Sequence, residues 1–185
     1  IYREFTIMDV RMMVRAALFA ALTAVGAFIR IPIGDLSVTL QVMFSLMAGL
    51  ILKEKWGSIS QIMYILCGLV GMPVFTGGGG PQYVLQPSFG FIMGLVLLAY
   101  ISGRFVRKNF SIKNCIIGCV LGLIALYAIG LPYMYIAMNF YMGNAVSFLH
   151  IMVWGMLVYL PFDALKICIA IFASLKLNTV QNLQT

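Results

Sequence analysis

Residues Ile112–Leu131 read IKNCIIGCVLGLIALYAIGL, an apolar run whose single charged residue is Lys113. A helix that crosses the hydrocarbon core of a bilayer needs roughly 20 such residues, which is about the length of this run. The whole chain has the same character, because hydrophobic residues make up 63% and charged residues 9% of its 185 residues. Soluble domains contain about 45–50% apolar and about 25% charged residues. The sequence therefore predicts an all-α integral membrane protein.

Further apolar runs flank this one, separated from it by charges or by Gly and Pro clusters. They predict membrane helices at Arg15–Ile29, Leu36–Leu52, Gly57–Pro73, Ser88–Gly103 and Ile151–Leu175. Tyr133–Met138 could lengthen the helix predicted at Ile112–Leu131. Five or seven spans stay possible, but about six is the preferred number. Since each span takes roughly 20 residues, residues 1–185 are predicted to form a single transmembrane domain with no room for a soluble catalytic domain.

The positive charges predict the orientation of the chain. In a six-helix arrangement one side of the membrane keeps only Arg30, and both termini lie on the other side. Cytoplasmic loops carry such an excess of Lys and Arg, so both termini are predicted to be cytoplasmic. The net charge of +7 does not indicate a nucleic-acid partner, because the basic residues are spread among short loops. The residues on the cytoplasmic side are Arg3, Arg11, Arg15, Lys53, Lys55, Arg104, Arg107, Lys108, Lys113 and Lys176.

The last predicted helix carries two charges, in the segment Pro161-Phe-Asp-Ala-Leu-Lys166. Asp163 lies about 18 Å along that helix at 1.5 Å per residue, near mid-membrane, where an ionised side chain costs about 2.5–3.5 kcal/mol. At i, i+3 spacing Asp163 and Lys166 share one face and can partly neutralise each other. They form either a structural ion pair or a polar site that faces a cavity. In a cavity, Lys can hold a carboxylate and Asp can accept N–H groups of a uracil-like or urea-like ring.

A glycine tract precedes the fourth predicted helix, in the sequence GGGGPQYVLQPSFGF from Gly77 to Phe91. Glycine allows backbone conformations that are closed to other residues and a close approach to a ligand. A flexible linker is one interpretation, but Pro, aromatic and amide residues follow at once, which favours a capping loop over a pocket. In that interpretation Tyr83 stacks on a ring, Gln86 and Ser88 donate hydrogen bonds, and the loop gate consists of Gly77, Gly78, Gly79 and Gly80.

Small residues recur in the first predicted helix at Ala16, Ala20 and Ala24, with Ala17 and Ala21 beside them. Such spacing lets another helix approach closely in lipid. The neighbouring helix belongs either to this chain or to a partner subunit. The four cysteines lie in apolar runs without His or carboxylate companions, so we expect small packing residues and no metal site.

These segments together resemble the BioY family, the biotin-binding S components of energy-coupling factor (ECF) transporters. The resemblance covers nearly the whole chain, and the segments follow the order and spacing of the family. Two departures stand out: Phe91 occupies a place where the family often has Tyr, and Phe162 stands where Gly is commoner. The segments are Ala16–Ile33, Ser37–Gly49, Gly68–Gly94 and Pro161–Lys166.

The resemblance implies a six-helix S-component fold with an outward-facing biotin pocket in a multi-pass protein of a prokaryotic cell membrane. It implies as partners a transmembrane coupling subunit, which would contact Ala16, Ala20 and Ala24, and two ATPase subunits. Lys166 is assigned to the biotin carboxylate and Asp163 to a ureido N–H, although the reverse partition is possible. Gln41 is a further pocket candidate. Biotin is the ligand, and no cofactor is implied.

Alternative functions use the same residues. An S component for another small vitamin would keep the fold and change the ligand, and a purely structural subunit would bind none. A membrane-embedded enzyme could use Asp163 as a general acid or base, but the chain offers neither a second carboxylate nor a histidine beside it. There is also no nucleotide-binding motif, so ATP is expected to be hydrolysed by another subunit.

Overall fold

The computed structural model describes residues 2–33 and 36–182, with the side chains of residues 2–9, 36 and 178–182 left undescribed. The described chain is mostly helical. A 3-10 helix follows α2 at Pro81–Leu85, and π-helical turns follow α4 and α5 at Ala137–Tyr141 and Val153–Leu157. The helices are α1 Tyr2–Phe28, α2 Gln41–Leu69, α3 Phe89–Val106, α4 Ile112–Ile136, α5 Phe148–Met152 and α6 Leu160–Asn182.

Two short strands correct the all-α prediction. β1 (Arg30–Ile33) pairs antiparallel with β2 (Leu36–Thr39), and Arg30 lies opposite Thr39. The predicted helix start at Leu36 is therefore wrong, and α2 begins at Gln41. The physical reason lies in the Ser-Val-Thr stretch of β2, because β-branched residues favour strands.

Helix α2 contains two of the predicted spans and is broken at Lys53, whose φ is 65°. In a straight helix Gly49 and Gly57 would lie about 12 Å apart along the axis. Here a Cβ added to Gly57 would lie 2.9 Å from the Gly49 Cα atom. The two halves of α2 therefore fold back against each other. The turn between them is a single residue, shorter than the predicted gap between Leu52 and Gly57, and the second half ends at Leu69 rather than at Pro73.

Four helical segments are long and apolar enough to cross a membrane within the described residues. They are Val10–Phe28, Phe89–Val106, Ile112–Tyr141 and Phe148–Leu177. The third of them confirms that the helix after Ile112 runs on through Tyr133–Met138, and the fourth begins before the predicted Ile151. Together with the extent of exposed apolar surface, these segments identify a membrane protein.

The core forms where α3 lies between α2 and α4. Glycine permits the close approach, since a Cβ on Gly49 would lie 2.4 Å from the Ala99 carbonyl oxygen and a Cβ on Gly94 would lie 3.0 Å from the Leu126 Cα atom. α6 packs on α2. Two of the cysteines, Cys115 and Cys119, are buried as expected, whereas Cys67 and Cys168 are exposed. No group of three metal-ligating side chains occurs among the residues described.

The small residues of α1 divide between two faces. Ala16 is fully buried and Ala20 is 8% exposed, and both pack in clusters that include side chains of α2. Ala24 is partly buried against the same core. Ala17 and Ala21 lie on the exposed face. The stripe formed by Ala16, Ala20 and Ala24 therefore packs inside this chain. The neighbouring stripe, Ala17 and Ala21, lies on the outer face of α1.

Candidate ligand-binding site

A cavity of about 220 Å³ opens between the β-hairpin, α2, α3, α4 and α6. Its apolar wall comes from α2, α3 and α4, and its polar groups come from the hairpin, α2, α4, α6 and the segments that precede α3 and α6. The polar lining residues are Arg30, Ser37, Thr39, Gln41, Thr76, Tyr83, Ser88, Tyr127, Tyr159, Asp163 and Lys166, and the apolar ones include Val42, Phe91, Ile92, Leu95 and Leu126. Ligand pockets commonly combine an apolar wall with a few placed polar groups.

Asp163 and Lys166 lie in the inner wall of this cavity. The Lys166 Nζ atom donates to Asp163 Oδ1 at 2.8 Å. The two residues are only 3% and 6% exposed. The two interpretations of the sequence therefore meet in one arrangement: the residues form an ion pair, and the pair lines a cavity.

Tyr127 of α4 completes this arrangement by donating its hydroxyl proton to Asp163 Oδ2 at 2.6 Å. Each carboxylate oxygen thus has one donor, from Lys166 or from Tyr127. The carboxylate still has unused lone pairs, and the ammonium group still has N–H donors. The pair can therefore present an acceptor beside a donor to a neutral polar group without leaving a net buried charge.

Arg30 provides a second cation at the mouth of the cavity. It begins strand β1, and its Nη1 atom donates to the Thr76 carbonyl oxygen at 2.5 Å. Among the described residues Arg30 belongs to no salt bridge within 4.0 Å. Among the described residues that line the cavity, two are cations, Arg30 and Lys166, and one is an anion, Asp163. A net charge of +1 suits an anionic ligand.

Gln41, at the start of α2, lines the cavity and organises its outer wall. Its Oε1 atom accepts a hydrogen bond from the Thr39 hydroxyl at 2.9 Å, and its Nε2 atom donates to the Tyr64 hydroxyl at 2.6 Å. Tyr64 in turn donates to the Val74 carbonyl oxygen at 3.1 Å. This network connects the β-hairpin with both halves of α2 and with Val74, which lies just before the glycine tract.

The glycine loop, Gly77–Ser88, contributes Tyr83 and Ser88 to the cavity lining, as the sequence predicts, but Gln86 does not line the cavity. Gln86 is exposed. The Tyr83 hydroxyl accepts from the Gly77 N–H at 3.3 Å and lies 3.3 Å from the Ser88 hydroxyl oxygen. The Tyr83 ring packs against Phe75 with centroids 4.6 Å apart. Tyr83 therefore supports the loop as well as lining the cavity.

The four glycines of the loop allow a backbone conformation that other residues would disfavour. Gly78 and Gly80 adopt φ values of 120° and 104°, a region that strongly favours glycine. A Cβ on Gly79 would lie 2.0 Å from the Met72 carbonyl oxygen, so this position has no room for a side chain. Of the four, Gly77 reaches the cavity lining.

Sequence reasoning missed Arg30, Tyr127 and Tyr159. Arg30 had a signal, because it is the single positive charge on its side of the predicted topology. Tyr159 donates its hydroxyl proton to the Ile33 carbonyl oxygen at 2.5 Å and so ties the last helical segment to the hairpin. Tyr127 had no such signal, since it is one of 9 tyrosines in an apolar chain and only the fold places it against Asp163.

The BioY family profile matches residues 3–182. The chain belongs to the BioY family. The probable biotin transporter BioY of Lysinibacillus sphaericus is 42% identical over 165 residues, which cover 88% of this chain and 83% of that protein. The biotin transporter BioY of Thermotoga maritima is 31% identical over 172 residues, which cover 92% and 98%.

A solved structure shares the fold. The S-component for biotin from an ECF-type ABC transporter superposes with a TM-score of 0.81 at 26% identity, covering 93% of both chains. The resemblance that the motifs indicated is thereby confirmed, and with it the S-component fold.

Proposed function

We propose that this BioY chain is the biotin-binding subunit of an ECF-type uptake transporter and captures biotin in the cavity beside α6. The observation that carries the proposal is the Asp163–Lys166 pair, which is fixed by Tyr127 and lines that cavity. Relatives of this chain are named biotin transporters. Such subunits bind and release their solute without changing it, so the chain is not an enzyme, and ATP hydrolysis falls to partner subunits.

The geometry supports a specific orientation of biotin. A cyclic urea offers N–H donors beside a C=O acceptor, which matches the Asp163 carboxylate beside the Lys166 ammonium. Lys166 is already neutralised by Asp163, whereas the Arg30 guanidinium donates to a neutral carbonyl. We therefore place the ureido ring at Asp163 and Lys166 and the biotin carboxylate at Arg30. This partition replaces the assignment of the carboxylate to Lys166.

The loop residues complete the proposed pocket. Gln41, Tyr83 and Ser88 would line the ligand, because all three already line the cavity. The tract Gly77–Gly80 would act as the gate, and its glycines would supply the backbone freedom for opening. Gln86 is exposed, so it would contact biotin only when the loop closes further over the occupied cavity.

We propose a six-span topology for residues 1–185 as one substrate-binding domain in the cell membrane. The four apolar segments supply four spans, and the two halves of α2 supply the other two, with the turn at Lys53 at the surface. Both termini would then be cytoplasmic. This arrangement puts Arg30 and the mouth of the cavity on the outer side, where a solute arrives.

The partners would be a transmembrane coupling subunit and two ATPase subunits, with α1 as the docking helix. Ala16, Ala20 and Ala24 face the core of this chain. They would support docking by letting α1 lie close to α2, and the exposed Ala17 and Ala21 would meet the partner.

Ala21→Trp is expected to abolish assembly with the coupling subunit while biotin affinity stays within about twofold, because the bulky ring blocks close helix approach. Ile124→Trp, at a 58% exposed position of α4, is the matched control and should leave assembly intact. Co-purification of the coupling subunit measures assembly, and biotin titration measures binding. Assembly that survives Ala21→Trp would remove this face of α1 from the interface.

Titration of the purified protein with labelled biotin tests the function itself. We expect saturable binding at one site, competed by unlabelled biotin and not by riboflavin or thiamine. Competition by another vitamin at lower concentration would assign a different ligand to the same fold. No saturable binding of any vitamin would support the structural subunit, and turnover of a lipid substrate by the purified chain would support the enzyme.

A further inference from the structure

A cluster of positive charge surrounds one buried carboxylate where the break in α2 meets the end of α3. Glu54 Oε1 accepts hydrogen bonds from Arg107 Nη1 at 2.7 Å and from Arg104 Nη1 at 3.5 Å. The Glu54 side chain is 11% exposed, whereas the two arginine side chains are 54% and 53% exposed. One carboxylate oxygen beneath the surface therefore holds two guanidinium groups side by side above it.

The backbone makes this arrangement rigid. Lys53 has a φ of 65° and turns the chain so that Glu54 lies against α3. A Cβ on Gly103 would lie 2.4 Å from the Glu54 backbone nitrogen, so the two elements touch directly beside Arg104. The Lys53 Nζ atom also donates to the Val106 carbonyl oxygen at 3.5 Å. The guanidinium pair is thus placed before any ligand arrives.

The cluster keeps a strong net positive charge. Glu54 neutralises one of the two arginines, and Lys108 and Lys113 are exposed nearby along the α3–α4 connection. Each guanidinium has five N–H donors in a planar fork, and Glu54 uses one Nη1 group of each. The remaining donors can serve an oxyanion that reaches the exposed side.

The neighbouring surface is apolar. Phe105 lies between the two arginines in the sequence and is 38% exposed, and Ile112 at the start of α4 is 58% exposed. Both residues border apolar segments that are long enough to span a membrane. The arginine pair therefore lies at the level where the spans leave the hydrocarbon and phosphate headgroups begin.

We propose that Arg104 and Arg107 form a binding site for the phosphate headgroup of an anionic phospholipid. The paired guanidinium groups match phosphate oxygens in the bidentate geometry that arginine favours. The acyl chains of the same lipid would cover Phe105 and Ile112. An acidic surface of a partner protein would satisfy the charges, but the exposed apolar side chains beside them favour a molecule with both a charged and an apolar part.

The test reconstitutes the protein in nanodiscs of phosphatidylcholine with rising fractions of phosphatidylglycerol and counts bound phosphatidylglycerol by native mass spectrometry. Each guanidinium of the pair makes a charge-assisted contact to the phosphate in the proposed site, so R104Q/R107Q should weaken retention of phosphatidylglycerol by at least about tenfold. R11Q/R15Q removes the same charge from exposed positions of α1 and should change it by less than about threefold.

Folding is controlled separately, because R104Q/R107Q leaves Glu54 buried without its partners. The variant E54Q/R104Q/R107Q removes that charge, so it should remain folded, bind biotin normally and still lose phosphatidylglycerol. Equal losses in R104Q/R107Q and R11Q/R15Q would reduce the site to diffuse surface charge and overturn the proposal. Binding of glycerol 1-phosphate as tight as that of the lipid would assign a free phosphate ligand instead. Unchanged lipid binding with lost assembly of the coupling subunit would assign a protein partner.

Discussion

The double variant Asp163→Asn/Lys166→Met is expected to weaken biotin binding by at least about 100-fold while the protein stays folded. In the proposed pose each residue supplies a charge-assisted hydrogen bond to the ureido ring, and such bonds contribute roughly 1.5–3 kcal/mol, or about 10-fold to 150-fold in affinity. Removing both charges together leaves neither one unpaired in the protein interior. Equilibrium titration with labelled biotin measures the loss.

The single variants are expected to behave differently. Asp163→Ala leaves the Lys166 ammonium 6% exposed and without its carboxylate, and breaking a buried pair in this way costs about 3–5 kcal/mol of stability. A loss of binding in that variant alone would therefore be ambiguous. Lys176→Met removes an exposed cation from the same helix and serves as the matched control. If the double variant binds biotin within about twofold of the unchanged protein, the assigned pocket is incorrect.

Arg30→Gln is expected to weaken the binding of biotin by about 10-fold to 150-fold, since it removes the charge-assisted contact to the carboxylate. Biotinamide lacks that negative charge, so its affinity should change by less than about threefold. The ratio of the two affinities is the measurement. It separates recognition of the carboxylate from the structural role of Arg30, which donates to the Thr76 carbonyl oxygen.

An equal loss for biotin and biotinamide would mean that Arg30 acts by holding the glycine loop through Thr76. The Lys166 assignment makes the opposite prediction. In that case Arg30→Gln would leave the ratio unchanged, and a Lys166 variant would abolish the preference for the charged ligand. The two ligands therefore decide between the two cations of the cavity.

We propose that the buried Asp163–Lys166 ion pair serves recognition of the ligand rather than stability of the fold. Burying two charges costs several kcal/mol per ion, and the attraction between them often does no more than offset that cost. In this chain the pair has one further donor, Tyr127, and faces a cavity. The pair can offer a polar ligand hydrogen bonds in place of those that the ligand loses to water. The ligand meets no net charge there, because the two charges of the pair balance.

Four of the six predicted membrane segments coincide with helices that are long and apolar enough to cross a membrane, because lipid imposes a simple requirement on length and polarity. Ile112–Leu131 and its extension needed only that rule. It did not predict the strand at Leu36–Thr39, although Val38 and Thr39 are β-branched residues that favour strands. Nor did it predict that the turn after Leu52 is the single residue Lys53, because that turn depends on glycine contacts between segments that are distant in the sequence.

The candidate site could be predicted from the sequence where a charged residue interrupts an apolar membrane segment. Asp163 and Lys166 are charges inside an apolar run, and that anomaly needs no tertiary information. Tyr127 breaks no rule, so only the fold reveals its bond to Asp163. The alanines of α1 show the remaining difficulty, since spacing by four residues identifies a stripe of small residues but not which of two adjacent stripes, Ala16 or Ala17, faces the core.

A structure of the protein with biotin bound would test the central claim most directly. We predict the ureido ring within hydrogen-bonding distance of the Asp163 carboxylate and the Lys166 ammonium, and the ligand carboxylate at the Arg30 guanidinium. Biotin bound elsewhere, with Asp163 and Lys166 still bonded only to each other and to Tyr127, would contradict the account and leave that pair a purely structural bridge.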